Sequence, residues 1–259
     1  ILLFLFSTIS FGQKKELKLA EKNIKSEDYS AAKQNILSAE KLINEMDAKT
    51  TVKYHYLKGL ANYANGNSNL EEASIALENL NKVIDLESNS SNKLYTSKAD
   101  ELRIAMLNKF VDDSKNNLDN QDYKGAYLNL EMSYRISPTD TLYLYNAALI
   151  ATENSDFDIA LSFYNELIDI GFTGITTNYY AIEKATGEEQ AFQNPDQRSL
   201  FIKAGTHENP RDADMESVEI DVLRSMAAIY KNNKDYENAI IYLEKAKTID
   251  DNEINIILL

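Results

Sequence analysis

Residues 223–250 read L-R-S-M-A-A-I-Y-K-N-N-K-D-Y-E-N-A-I-I-Y-L-E-K-A-K-T-I-D. Apolar residues recur at Leu223, Met226, Ala227 and Tyr230, and again at Tyr236, Ala239, Leu243 and Ala246. This is the spacing of two amphipathic helices separated by a polar turn. The same hairpin returns upstream in weaker form. Its anchor is a small residue a few places behind an Asp-aromatic pair, in Asp28-Tyr29-Ser30-Ala31-Ala32, Asp122-Tyr123-Lys124-Gly125-Ala126, Asp156-Phe157-Asp158-Ile159-Ala160 and Asp235-Tyr236-Glu237-Asn238-Ala239. Ala126 and Ala160 lie 34 residues apart. A helix pair of that length cannot bury its own apolar face and must stack on a neighbour, so the spacing predicts a stacked array of hairpins.

Composition agrees with an all-α chain. Only 8 Gly and 3 Pro punctuate 259 residues, which favours long helices joined by short polar turns. The formal charge of −14 repels phosphate backbones, so nucleic acid is excluded as an expected partner. With no cysteine, disulfides, thiol chemistry and Cys-based zinc sites are excluded too.

The repeats fall near 14–46, 51–86, 94–138, 141–170 and 217–251. In the second, Gly59 is the small packing residue and Gly66 the turn glycine, with a loop two residues longer than its counterparts. Ser137-Pro138 follows the third, where a proline stops the helix. Together these features resemble the tetratricopeptide-repeat family, with Leu223 in place of its Trp and Asp251 in place of its Pro. The resemblance implies a right-handed superhelical solenoid of antiparallel helix pairs. Its inner groove would be lined by the first helix of each pair and would hold a peptide or a partner protein. By that resemblance and by helical phase, the groove-facing candidates are Tyr56, Leu60 and Tyr63, then Tyr145, Asn146 and Leu149, then Arg224 and Lys231. No carboxylate clamp is expected, because the repeats present no convincing Lys, Asn and Arg set.

Residues 171–216 break the pattern and hold most of the remaining Gly and Pro. Residues 176–182 and 190–192 suggest a small β-hairpin, and 196–204 a short helix. Similar inserts, and a Phe11-Gly12-Gln13 junction, resemble secreted repeat proteins of Bacteroidetes bacteria. His207 and Arg211 in this segment support the alternative reading, an enzyme accessory or hydrolase with a pocket at the insert. No nucleophile or metal motif accompanies them. His207 is therefore expected to fasten the insert, and His55 to be structural. Asp212, Asp214 and Glu216 have the spacing of a calcium-loop start without its glycine and distal glutamate, and Asp214, Glu216 and Glu219 are expected near a helix N-terminus instead. Adjacent acidic pairs at Asp112-Asp113 and Glu188-Glu189 diverge on a helix and make no dyad. The expected protein is a non-enzymatic scaffold with no cofactor and no metal.

The apolar run Ile1 to Gly12, followed by Gln13-Lys14-Lys15, reads as the end of a secretory signal peptide cut before Gln13. It is shorter than the roughly 20 residues of a membrane span. A periplasmic or secreted protein without stable membrane insertion is expected. Residues 13–259 would form one solenoid, with 252–259 opening a further helix.

Overall fold

The computed structural model describes residues 5–192, 194–214 and 217–249. Of residues 5–12 it describes the backbone, which is helical. The expected helix at 252–259 and the start of the apolar run, residues 1–4, lie outside the described residues. The chain divides into two compact units, residues 1–143 and 144–259.

The first unit is three antiparallel helix pairs: α1 (Leu5–Lys25) with α2 (Tyr29–Glu40), α3 (Ala48–Tyr63) with α4 (Leu70–Glu87), and α5 (Thr96–Asp119) with α6 (Tyr123–Ile136). One apolar cluster joins α1, α2 and α3 through Leu17, Ile36 and Leu57. A second joins α3 to α6 through Leu80, Met106 and Phe110. Each such side chain taken fully out of water contributes about 1.5–3 kcal/mol. The repeated alanines sit in the helix interfaces, with Ala32 and Ala126 fully buried. His55, buried on α3, lies with Nδ1 2.8 Å from Asn79 Oδ1 on α4, and burial lowers its pKa below the usual histidine value. It is structural, as its setting among aromatics implied.

The hairpin turns share one construction. Glu27, Gln121, Ser155 and Lys234 each sit at φ of 59–63°, in the left-handed region. The Asp that follows each one donates its N–H back five residues, Asp28 to Asn23 O at 2.9 Å and Asp122 to Asn117 O at 2.7 Å. Asp156 reaches Ala151 O and Asp235 reaches Tyr230 O, both at 2.9 Å. This closes the first helix with a Schellman turn. In three of the four, the same Asp side chain opens the second helix by accepting an N–H three residues on, from Ala31, Gly125 and Asn238. The Asp-aromatic signature therefore marks a residue that ends one helix and caps the next. The α3–α4 turn differs. Ala64, Asn65 and Gly66 all have positive φ, and Asn69 caps α4 in a reciprocal box with Glu72.

Glu87, in the last turn of α4 and 4% exposed, closes the next connection. Its carboxylate accepts N–H bonds from Leu94 at 2.9 Å, Tyr95 at 3.0 Å and Thr96 at 2.8 Å, and the Thr96 hydroxyl at 2.8 Å. One side chain thus caps α5 from the preceding pair. Burial pushes its pKa up, but the Thr96 hydroxyl and these N–H groups outweigh burial and hold the pKa below the ordinary glutamate value.

The second unit holds most of α7 (Leu142–Glu153), then α8 (Phe157–Asp169), α10 (Glu219–Asn232) and α11 (Tyr236–Ile249). Thr152 on α7 donates to Tyr164 Oη on α8 at 3.3 Å, and Tyr242 on α11 donates to Asn165 on α8 at 3.1 Å. Leu223 and Ala246 pack with Ile168 and Ile220. The architecture is all-α, built of antiparallel helix hairpins, with one β-containing insert.

That insert is β1 (Thr177–Glu183), β2 (Glu189–Phe192), α9 (Pro195–Lys203) and β3 (His207–Asp214). The β1–β2 hairpin and α9 match the sequence reading. A third strand, β3, adds to the other edge of β1, giving the antiparallel order β2-β1-β3. Residues 209–210 bulge opposite Ala181. Asn209 takes φ of 51° and Pro210 has no N–H to give to the ladder. Asp214 thus lies in a strand and not at a helix N-terminus, whereas Glu219 does sit in the first turn of α10, as expected, and Glu216 lies outside the described residues. Asp212 pairs with Arg198, and Asp214 accepts from Thr177 at 2.7 Å.

Candidate functional site

In the first unit, α1, the N-terminal turns of α3 and the head of α5 enclose a cleft of about 470 Å³. Lysines dominate its walls. Lys14 and Lys18 come from α1, and Lys49 and Lys53 from α3. The two carboxylates in the wall are already engaged. Glu21 accepts from Lys53 at 2.6 Å and Lys25 at 3.1 Å, which holds its pKa below the ordinary value. Asp47 caps α3 by accepting the Thr50 N–H at 2.7 Å, and hydrogen bonding to Thr50, with a smaller contribution from Lys14 at 3.8 Å, holds its pKa below the ordinary value. Lys18 and Lys49 are exposed and have no ion-pair partner among the described residues. The aromatic wall is Tyr95, whose ring lies 4.9 Å from that of Tyr56 and carries the Lys98 ammonium 5.5 Å from its centroid.

This cluster stands in an acidic chain. Residues 1–63 hold ten lysines and seven carboxylates, a net of +3, against −14 for all 259 residues. A lysine-rich concavity with lightly committed ammonium groups attracts anionic ligands, and adjacent tyrosines add apolar contact and hydroxyls. A second concavity in the same unit, about 550 Å³ between α4 and α6, has the opposite character. Its floor is Leu77, Leu128 and Met132, and its rim holds Glu71, Glu78 and Glu131 beside Arg135.

The candidates from the sequence disperse. Tyr56 is half-buried and joins the basic cleft through Tyr95. Leu60 is half-buried against the α1–α3 core. Tyr63 is a correction: at 6% exposure it fills the core of the α3–α6 cluster and faces no groove. In the second unit Tyr145 lies 5.4 Å from Phe172, Asn146 is exposed and Leu149 half-buried. On α10, Arg224 is 3.8 Å from Asp221 and Lys231 is exposed. Lys14, Lys18, Lys49, Lys53 and Tyr95 were missed. They are far apart in sequence, and only the lysine spacing on α1 hints at a charged face.

The insert's polar residues are committed to one another. His207, 3% exposed, has Nε2 2.7 Å from Gln190 Oε1 and Nδ1 2.9 Å from Thr206 Oγ1, and its ring meets Phe192 and Phe201 edge-on. It fastens α9 to the sheet, the role expected of it. Arg211 donates twice to Glu189, at 3.0 and 2.7 Å, and its guanidinium lies 4.6 Å from the Tyr180 ring centroid.

No protein-family model matches the chain, and no curated protein matches it. Among solved structures it is similar to "Crystal structure of MamA protein", at 13% identity and a TM-score of 0.32 over 96% of this chain and 97% of that one. It is also similar to "Crystal structure of NprR in complex with its cognate peptide NprX", at 12% identity and a TM-score of 0.31, over 98% of this chain and 70% of that one.

Proposed function

We propose that the protein is a non-enzymatic interaction scaffold that holds a partner protein or peptide on the first helices of its hairpins. The carrying observation is the cleft of the first unit, which exposed Lys18 and Lys49 line together with Tyr95, whose ring is backed by Tyr56. Stacked hairpins offer rigid side chains on successive helices, which suits recognition of an extended segment at low ordering cost. We also propose that it works outside the cytoplasm, on the strength of the apolar run through Gly12. No described helix is long and apolar enough to cross a membrane.

Site-specific photo-crosslinking in cells tests the scaffold reading. A benzophenone amino acid replacing Tyr95 is expected to trap a discrete protein species. The same probe replacing Leu37, 54% exposed on α2, is expected to trap none. Identical patterns from both positions, or none from either, overturn the reading. Fractionation of cells carrying a C-terminally tagged chain tests location: the expected product is extracytoplasmic and begins at Gln13, and an uncut cytosolic product refutes it.

A further inference from the structure

We infer that the cleft between α1, α3 and the head of α5 takes an acidic peptide segment carrying an apolar or aromatic residue. This deepens the scaffold reading and rests on it, by naming the chemistry of the segment held. Three observations converge.

The first is a surplus of cation over anion at one place. Four lysines line the cleft and Lys98 adds a fifth ammonium beside Tyr95, against two wall carboxylates. Glu101 is the further acid that bears on this region, raising the Tyr56 pKa after the larger effect of burial. The second is that both wall carboxylates are spent internally. Glu21 serves two lysines and Asp47 caps α3 while feeling Lys14 and Lys49 only as lesser, longer-range influences, so neither forms an ion pair with Lys18 or Lys49. Those two ammonium groups face solvent from different helices across one concavity, an arrangement that meets carboxylates spaced along an extended chain. The third is the aromatic wall. Half-buried Tyr95, backed by Tyr56, lines the cleft beside the lysines, which gives a docked apolar side chain an aromatic contact while its acidic neighbours reach the ammonium groups.

A protein segment is favoured over an anionic membrane because the lysines converge on a concavity with an aromatic wall. A bilayer needs a convex or flat basic surface. A short acidic peptide is favoured over nucleic acid because the net charge of −14 repels a long polyanion more strongly than a segment carrying only the few charges that the cleft lysines meet.

Fluorescence anisotropy with the full chain tests this, using a short labelled peptide of Glu and Asp around one Phe, its Gln and Asn counterpart, and phosphatidylglycerol vesicles. The acidic peptide is expected to bind, to lose affinity as NaCl rises from ~50 to ~300 mM, and to outcompete the neutral peptide. The double variant K18E/K49E is expected to weaken binding at least about tenfold. K82E, the same charge change on α4, is expected to leave it unaltered. Both altered lysines are exposed, and the milder K18Q/K49Q pair guards against misfolding, with far-UV circular dichroism as the check. Equal affinity for acidic and neutral peptides, insensitivity to K18E/K49E, or no binding of the acidic peptide overturns the inference. Binding of vesicles alone, sensitive to the same variants, overturns it in favour of a lipid surface. A neutral peptide held equally well leaves the scaffold reading standing, whereas loss of the Tyr95 crosslink removes that reading itself.

Discussion

Gln121 holds φ of 61° between α5 and α6, a conformation that a side chain at Cβ opposes. Gln121→Gly removes that opposition. The left-handed conformation costs a non-glycine residue about 1–2 kcal/mol, and glycine returns up to about 1 kcal/mol through its freer unfolded chain. The net expectation is a gain of about 0.5–1 kcal/mol, or a midpoint rise of roughly 2–4 °C for each kcal/mol in a chain of this size. The backbone bond from Asp122 N–H to Asn117 O should survive, because neither group belongs to the altered side chain. Urea unfolding followed by circular dichroism measures the change, and Gln121→Asn should fall between the two, since Asn tolerates this conformation better than Gln. Lys115→Gly, at an exposed interior position of the same helix, is the control. There glycine should cost about 0.7–1 kcal/mol, reversing the sign. A Gln121→Gly protein that is neutral or destabilised, with the Lys115→Gly loss intact, refutes the account of these turns.

Glu87→Ala strips α5 of its cap and leaves three N–H groups without their carboxylate, for an expected loss of about 3 kcal/mol in urea unfolding. The Glu87 pKa is lower folded than unfolded, so its contribution is full above the ordinary carboxylate value. It fades as pH falls through the depressed one, and an acid titration of Glu87→Gln should show a shallower loss of stability across that window. Gly59→Ala places a Cβ 2.9 Å from Leu80 Cδ2 and 3.4 Å from the Ala76 carbonyl oxygen, an overpacking expected to cost about 1–3 kcal/mol by thermal unfolding. Gly125→Ala aims its Cβ 2.2 Å from Asp122 Oδ2 and 2.3 Å from Asn117 Nδ2, so both side chains must turn aside; since Ala31 keeps the equivalent cap, the change is expected to be neutral or to stabilise by up to about 1 kcal/mol in urea unfolding.

The hairpins were legible because each Asp-aromatic pair carries local information: a residue that ends one helix and starts another advertises itself within five positions. The β1–β2 hairpin was legible from its tyrosines and the flanking turn. β3 was not, since His-Glu-Asn-Pro-Arg-Asp-Ala-Asp lacks any apolar alternation and becomes a strand only by pairing with β1. The capping role of Glu87 was not legible for the same reason: its partners, Leu94 to Thr96, are fixed by how the connection folds back. Tyr63 is a groove candidate by resemblance and helical phase, yet α3 is packed on most of its circumference, so neither separates the groove side from the core. The basic cleft needs three helices from three hairpins, and a convergence of that kind is written in tertiary packing and not in any stretch of chain.

The turn built on Asp28, Asp122, Asp156 and Asp235 completes its bonds within eight residues, so joining two helices there demands almost no long-range loop closure. A polypeptide assembled from such self-sufficient corners acquires its pairs in whatever order they become available. Loss of one corner should then loosen its own pair first, which makes the molecule tolerant of local damage and prone to fray from an end inward.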